Sequence, residues 1–224
     1  MKLAVVTGAG SGLGKAIAED LETIGCYEVV TVGHGCEFNL DTNEDWIDDV
    51  KAEYRTPDIL VNNAGIIRFG WIEDDAKLHD FEDTFKTNVF AYYNAIRNLK
   101  RCSNTNQTYT VINISSMSHR IPYSRSTAYC SSKAAIVAMT ASLGRQFFIR
   151  WPQCRIYCLA PQLLEGTKMT EQVLADMKAT GRPGPQNAVG HLQYRSDVSD
   201  TVLWLCKSRP EYLSGSTIEF PGGV

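Results

Sequence analysis

Short, continuously apolar runs alternate with longer amphipathic ones along this 224-residue chain. Residues 3–7, 27–32, 59–61, 108–114, 155–159 and 216–220 are rich in Val, Ile, Leu and Thr and lead into Gly, Asn, Ser or Pro. Runs so bounded read as strands covered on both faces. Between them apolar residues recur at helical spacing. The helices expected are 15–21, a stretch capped by Thr42 or Asn43 and running to Tyr54, 78–101, 128–149, and one capped by Ser196 and running to Cys206. In 78–101 the residues Phe81, Phe85, Val89, Tyr92 and Ile96 share one face. Strand and helix in alternation predict an α/β fold, a Rossmann-like doubly wound parallel sheet in three α/β/α layers. One step is short. Few residues separate 27–32 from Glu37-Phe38-Asn39-Leu40-Asp41, whereas a parallel crossover takes about a dozen or more. Either 37–41 is a stub strand reached by a loop or it lies outside the sheet, and the crossover between the second and third strands is shortened. Residues 162–194 show no sheet pattern and contain Gly181-Arg182-Pro183-Gly184-Pro185, which marks a substrate loop or lid.

Composition narrows the class. A net charge of −3 with the two signs mixed leaves no basic block, which argues against nucleic acid and anionic membranes as partners. Seven cysteines with no C-x-x-C pair, two of them (Cys154 and Cys158) in or beside a predicted strand, suggest reduced thiols and no metal site. The apolar run at the N-terminus is too short for a signal peptide and nothing approaches a membrane span, so a cytoplasmic location is expected. No repeat, low-complexity tract or linker divides the chain, and residues 1–224 are expected to form a single domain.

The candidate chemistry begins at Thr7-Gly8-Ala9-Gly10-Ser11-Gly12-Leu13-Gly14, which follows the first strand and opens the first helix. Strand, glycine turn and helix form the context of a dinucleotide site. Glycines let the backbone approach a pyrophosphate, and the helix N-terminus offers N–H groups and partial positive charge. About twenty residues further on, such folds place the group that reads the adenosine ribose. Gly33-His34-Gly35 stands there, with no carboxylate to accept from a 2′-hydroxyl. That favours NADP(H) over NAD(H), with His34 or Lys15 available to a 2′-phosphate; a solvent-facing turn histidine is the competing reading of His34. Two later strands end in Asn62-Asn63-Ala64-Gly65 and Ser115-Ser116-Met117-Ser118, polar ends that face the crevice of an open sheet. Asn88 interrupts an apolar helix face and needs partners. Tyr129 and Lys133 lie at i and i+4, one turn apart on one face. A fixed ammonium beside a phenol favours the phenolate and draws its pKa down toward neutrality.

Together these motifs resemble those of the short-chain dehydrogenase/reductase family, in the family's order and over nearly the whole chain. The resemblance rests on Thr7-Gly8-x-x-x-Gly12-x-Gly14, Asn62-Asn63-Ala64-Gly65, Asn88, Ser115-Ser116, Tyr129-x-x-x-Lys133 and Gly222-Gly223. It implies a dinucleotide-binding catalytic domain that moves hydride between the nicotinamide C4 and a carbonyl or secondary alcohol. It implies Tyr129 as general acid/base and Lys133 as the cation that lowers the phenol's pKa and holds the nicotinamide ribose. Ser116, thirteen residues before Tyr129, would donate to the substrate oxygen, and Asn88 would anchor a water leading from Lys133 to solvent. Gly8, Ser11, Gly12, Leu13 and Gly14 would meet the pyrophosphate, and Gly33, His34, Asn39 and Leu40 the adenosine. Asn63, Ala64, Gly65, Pro161 and Thr167 would join Tyr129 and Lys133 around the rest of the cofactor.

Some positions depart from the family pattern. Ser11 stands where a basic residue would support NADP(H). Gln162 replaces the Gly after Pro161, and Thr167 comes one residue late, which puts the grip on the carboxamide in question. A sensor or scaffold that binds dinucleotide with little turnover is the alternative function. Ile66, Arg68, Met117, His119, Tyr123, Leu163 and Leu164, with the loop 168–194, are the candidate lining for a small carbonyl or alcohol substrate. Pairing through the helices holding Asn88 and Tyr129 would make a homodimer or homotetramer.

Overall fold

The computed structural model of the protein describes residues 1–36, 46–101, 107–185 and 187–223. Asn39 and Leu40, the stretch 37–41 and the expected caps Thr42 and Asn43 lie outside the described residues. Six strands are β1 (Lys2–Thr7), β2 (Tyr27–Val32), β3 (Ile59–Asn62), β4 (Thr110–Ile114), β5 (Arg155–Ala160) and β6 (Thr217–Glu219). The helices are α1 (Gly12–Thr23), α2 (Trp46–Glu53), α3 (Leu78–Phe85), α4 (Ala91–Arg101), α5 (Thr127–Arg150), α6 (Lys168–Ala179) and α7 (Arg195–Ser208). All strand pairs are parallel, in the order β2-β1-β3-β4-β5-β6.

Side chains alternate between two apolar layers, as the pleat requires. On one face Ala4, Val6, Val61, Ile112 and Leu159 share a core with Ile17 and Leu21 of α1 and Val198 and Val202 of α7. On the other face Leu3, Val5, Leu60, Val111 and Ile156 pack with Trp46 and Val50 of α2, Ile96 and Leu99 of α4 and Phe147 of α5. This is the three-layer, doubly wound arrangement that the alternating pattern predicts. β1 has β2 on one side and β3 on the other, so the chain leaves β1 in one direction and returns across it. A crevice opens beyond the carboxyl ends of the strands at such a reversal. Among the described residues, the crossover from β2 to β3 carries the short α2.

Three elements differ from expectation. The long helix predicted over 78–101 is broken by a π-helical turn, Lys86–Phe90, between α3 and α4. A π turn inserts an extra residue and rotates everything beyond it by about a quarter-turn or more of helix. Tyr92 and Ile96 therefore reach the core, whereas Phe81 is 38% exposed and stacks on Phe85 with centroids 4.9 Å apart. The stretch 162–194 is not wholly irregular, because α6 lies within it and buries Thr170, Val173 and Met177. That spacing is helical, and Thr167 caps it by accepting from the Thr170 N–H. Ser196 is not the cap of α7. Tyr194, two residues earlier, is the N-cap, and the Asp197 carboxylate accepts from its N–H at 3.1 Å.

α5 crosses the sheet edge in close contact with the loop before β6. A Cβ at Gly144 would stand 2.4 Å from the Gly215 Cα, and Gly215 itself has φ +87°. Backbone on both sides leaves nothing that can give way. Gly144→Ala is expected to cost about 1–3 kcal/mol, the usual penalty of overpacking, in spite of alanine's better helix propensity. Urea denaturation would show it as a lower midpoint at an unchanged slope.

Candidate active site

A cleft of about 680 Å³ lies at the sheet reversal. One end is built on the glycine turn. Gly8 and Gly12 have φ of +68° and +59°, values that glycine adopts without strain. Gly8, Ser11, Gly12 and Leu13 line the cleft, and Gly33 and His34 join them from the end of β2. Ser11 is the N-cap of α1 in extended conformation and makes no side-chain cap bond, so the first turn of the helix meets the cleft without a side-chain acceptor. An anionic diphosphate fits such a helix end. Gly14 does not line the cleft. A Cβ there would stand 2.4 Å from both the Gly8 O and the Asn63 Nδ2, so its role is to let α1 press against the turn.

The ends of β1 and β3 are stitched together by side chains. The Thr7 hydroxyl accepts from the N–H groups of Asn63 and Ala64 at 2.9 and 3.1 Å, and Asn63 Nδ2 donates to the Thr7 O at 2.9 Å. Asn63, Ala64 and Gly65 form the adjoining wall. Across from them stand Pro161 and Thr167, the latter with its Cγ2 only 3.6 Å from where a Gly12 Cβ would be.

The other end of the cleft holds Ser116, Tyr129 and Lys133. Ser116 follows β4 and caps a short 3-10 turn, Met117–His119, by accepting from the Ser118 N–H at 3.2 Å. Its hydroxyl also acts on the Tyr129 phenol, favouring the ionised form. Lys133 is only 3% exposed; its Nζ donates to the Ile114 O at 2.9 Å and lies 5.6 Å from the centroid of the Tyr129 ring. The neighbouring Ser115 donates to the Lys133 O at 2.8 Å, tying α5 to β4. Gly65 makes room, since a Cβ there would be 3.5 Å from Nζ.

Burial dominates the electrostatics here. It raises the Tyr129 phenol well above its ordinary value of 10, and the Ser116 side chain only partly opposes it. Burial also pushes Lys133 from 10.5 down to about 8. The expectation that Lys133 draws the phenol toward neutrality is not met in this geometry. The ammonium is directed at a β4 carbonyl rather than at the phenol oxygen, and the dry surroundings disfavour phenolate more than that distant charge favours it.

Asn88 sits in the π turn, fully buried, behind the cleft rather than in its lining. Its Oδ1 accepts from the Ile66 N–H at 2.8 Å, while Nδ2 donates to the Ile66 O at 3.0 Å and to Ser132 Oγ at 2.9 Å. The side-chain amide is thus spent on clamping the strand end beyond β3 to α5.

A sequence model described as short chain dehydrogenase matches residues 36–178. The chain belongs to the short-chain dehydrogenase family. It is an NAD(P)-dependent oxidoreductase of that family, moving hydride between nicotinamide and a carbonyl or alcohol. The 3-oxoacyl-(acyl-carrier-protein) reductase FabG of Haemophilus influenzae is 28% identical over 242 residues, covering 100% of this chain and 98% of the relative. The reductase of the same name from Aquifex aeolicus is 27% identical over 246 residues, covering 100% and 97%. Among solved structures, ligand-free Thermoplasma acidophilum aldohexose dehydrogenase superposes with a TM-score of 0.84 at 24% identity, covering 99% of this chain and 93% of that one. The 3-ketoacyl-(acyl-carrier-protein) reductase of Brucella melitensis, complexed with NADH, does so with 0.83 at 21% identity, covering 99% and 97%.

Against the pattern of this short-chain dehydrogenase, the departure at Gln162 has a structural consequence. The Gln162 N–H donates to Gln193 Oε1 at 2.9 Å, and its side-chain amide donates to the Pro221 O. The backbone after Pro161 is thereby tied to the loop before α7 and to the C-terminal segment. Of the expected substrate lining, Ile66, Arg68, Tyr123, Leu163 and Leu164 reach the cleft. Met117 and His119 do not. Met117 is buried, and His119 is held by the Ser116 O at 2.8 Å and Glu219 at 3.2 Å. Ile67 is a lining residue that sequence reasoning missed, and Met169, Thr170, Gln172 and Val173, from the expected 168–194 stretch, also reach the cleft, but on a helix rather than a loop. The recurrence of Met169, Val173 and Met177 at every fourth position was the available signal. Among the described residues no group of His, Cys, Asp and Glu is arranged to hold a metal ion, and no helix is long and apolar enough to cross a membrane.

Proposed function

We propose that the whole chain is one catalytic domain that reduces the carbonyl of an apolar substrate, with Tyr129 as proton donor, Ser116 as oxyanion partner and Lys133 as charge stabiliser. The observation that carries this reading is the Ser116–Tyr129–Lys133 cluster at one end of a cleft whose other end is a glycine turn and a helix N-terminus. A dinucleotide bound along that cleft supplies or receives the hydride. Gly8, Ser11, Gly12 and Leu13 would hold its diphosphate, Gly33 and His34 its adenosine. Asn63, Ala64, Gly65, Pro161 and Thr167, with Tyr129 and Lys133, would hold the remainder. Gly14 and Asn88 act one layer behind, setting the turn and the strand end. Asn39 and Leu40 remain the proposed adenine contacts.

Burial keeps Tyr129 protonated at neutral pH, which is the form a reductase needs. As negative charge develops on the substrate oxygen, Ser116 donates to it and Tyr129 passes its proton. Lys133, still charged below about 8, then offsets the phenolate left behind. The sign of the pH dependence follows. Reduction should be level below pH 8 and should fall as Lys133 loses its proton above it, and Lys133→Arg should move that limb to higher pH. A pH profile of kcat/KM for the two proteins measures this.

Ile67, Tyr129, Val173 and Met177 form a small apolar cluster with Phe69, Tyr123, Leu163 and Met169 around it. This favours a hydrocarbon substituent beside the reacting carbonyl. The 3-oxoacyl reductases among the relatives support a 3-oxoacyl thioester as the first substrate to test. The absence of a carboxylate at Gly33-His34-Gly35 favours NADP(H). The exposed Phe90, Tyr93, Phe148 and Ile149 on the outer helices favour a homodimer or homotetramer, and the family relationship favours the cytoplasm. Fluorescence titration with NADPH and NADH tests the cofactor preference. Turnover of 3-oxoacyl N-acetylcysteamine thioesters of increasing chain length tests the chemistry. Cofactor binding without turnover of these or simpler ketones and aldehydes would overturn the reading.

A further inference from the structure

We propose that Asp176, gripped by Arg125 and Arg182, is a latch that holds α6 as the outer wall of the substrate cleft. This rests on the carbonyl-reductase reading of the cleft and adds positioning residues to it. Three separate segments wall the apolar end above Tyr129. Ile67 and Arg68 come from the loop after β3, Tyr123 from the loop before α5, and Met169 and Val173 from α6. Asp176 and its partners join all three.

Arg125 Nη1 donates to Asp176 Oδ1, and Arg182 Nη2 donates to Asp176 Oδ2. The other Arg125 nitrogen, Nη2, reaches Asp75 Oδ2 at 2.7 Å, and the Arg125 O accepts from the Gly70 N–H at 2.8 Å. Its guanidinium also lies 5.7 Å from the Trp71 ring centroid. Arg182 in turn donates to the Ser124 O and Oγ at 3.0 and 2.7 Å. Ion pairs on an open surface contribute little. These are mostly withdrawn from water, with side-chain exposures of 13% for Arg125, 20% for Arg182 and 10% for Asp176.

Two features show that the cluster is not there for stability alone. Arg125 has φ +67°, a left-handed conformation that a non-glycine residue keeps only where its surroundings over-determine it. Its Nε is buried with no acceptor among the described residues, a cost that a simple tether would avoid. Meanwhile the apolar side of α6, Val173 and Met177, packs with Ile67 and Tyr129. The two arginines therefore fix one flank of the helix while its apolar residues face the proton donor. None of the three charged residues lines the cleft, so they act through α6 and not on the substrate.

The test compares wild type, Asp176→Asn, Arg125→Gln and the double variant. The readouts are amide hydrogen exchange over 168–179, and KM and kcat for the 3-oxooctanoyl thioester of N-acetylcysteamine with NADPH. Both single variants should exchange faster in α6 with α1 unchanged. If the closed fraction falls to about one in ten, KM rises about tenfold while kcat moves far less. The double variant should lose less than the sum of the two single losses, because the Arg125–Asp176 contact is common to both. Arg182→Lys, a milder change, should act in the same direction and serves if Asp176→Asn does not fold. Unchanged α6 exchange with unchanged KM, or additive losses in the double variant, would overturn the latch. A wild type that turns over no carbonyl would count against the reductase reading, while the exchange measurement would still decide the latch.

Discussion

Tyr129→Phe is expected to slow carbonyl reduction about a thousandfold, within the usual range for loss of a positioned general acid. That corresponds to about 4 kcal/mol of transition-state stabilisation. The fold should tolerate the change. Tyr129 is 6% exposed and packs with Ile67, Val173 and Met177, contacts that a phenylalanine ring keeps. The lost hydroxyl leaves Ser116 still bonded to the Ser118 N–H, so no buried group is orphaned. Binding of NADPH should weaken far less than hydride transfer, because the variant loses one hydroxyl contact to the cofactor while the glycine turn and Ser11 at the other end of the cleft stay intact. The measurement is single-turnover hydride transfer alongside fluorescence titration of the cofactor. A variant that transfers hydride at the wild-type rate would sink the assignment of the proton donor, and with it the proposed mechanism.

Lys133→Met is expected to abolish most activity and yet make the protein more stable. Burial moves Lys133 from 10.5 to about 8, so at neutral pH the folded protein holds a charge that it would shed more readily than the unfolded chain. A shift of that size corresponds to roughly 3 kcal/mol of destabilisation. The variant gives up the charge-assisted hydrogen bond to the Ile114 O, which contributes about 2 kcal/mol. That carbonyl keeps the Tyr92 hydroxyl at 3.4 Å. Relief of the buried charge therefore outweighs the lost bond, and a net gain of about 1 kcal/mol is expected. The sign can be checked against pH. Between about 8 and 10.5 the unfolded chain binds the proton that the folded protein has released, so this group's contribution to stability rises with pH across that window. Below 8 the penalty is present in full. The advantage of Lys133→Met over wild type should accordingly be largest near pH 7 and shrink toward pH 10, as read by urea denaturation at a series of pH values. A variant less stable than wild type at pH 7 would show that Lys133 is retained for the fold and not for the chemistry.

The features legible in the chain were those whose physics is local. A strand buried on both faces must be largely apolar, so β1, β3, β4 and β5 stood out as runs. A turn with φ of +68° and +59° at its first and third glycines needs Gly there, so the motif announced the conformation. Tyr129 and Lys133 are one helical turn apart by arithmetic, and the helix carried both into the cleft.

Features that depend on distant partners were not legible. The π turn at Lys86–Phe90 left no mark in the apolar spacing, and it alone explains why Phe81 is exposed while Tyr92 is buried. Gln162 reads as a loss of glycine in the sequence, but in the fold it ties the end of β5 to Gln193 and Pro221. The direction of the Tyr129 shift turned on burial and on where Nζ points, and neither is a property of spacing. Asp176 is separated from Arg125 by 51 positions and looks like any charged residue on an amphipathic helix. By itself, then, the sequence determined the fold class, the glycine turn and the one-turn spacing of Tyr129 and Lys133, because backbone sterics and helical periodicity act over a few residues. Only the tertiary structure decided the burial of that pair, the residues that wall the cleft and the charges that flank α6, because solvent exclusion and long-range pairing exist only once the chain has closed on itself.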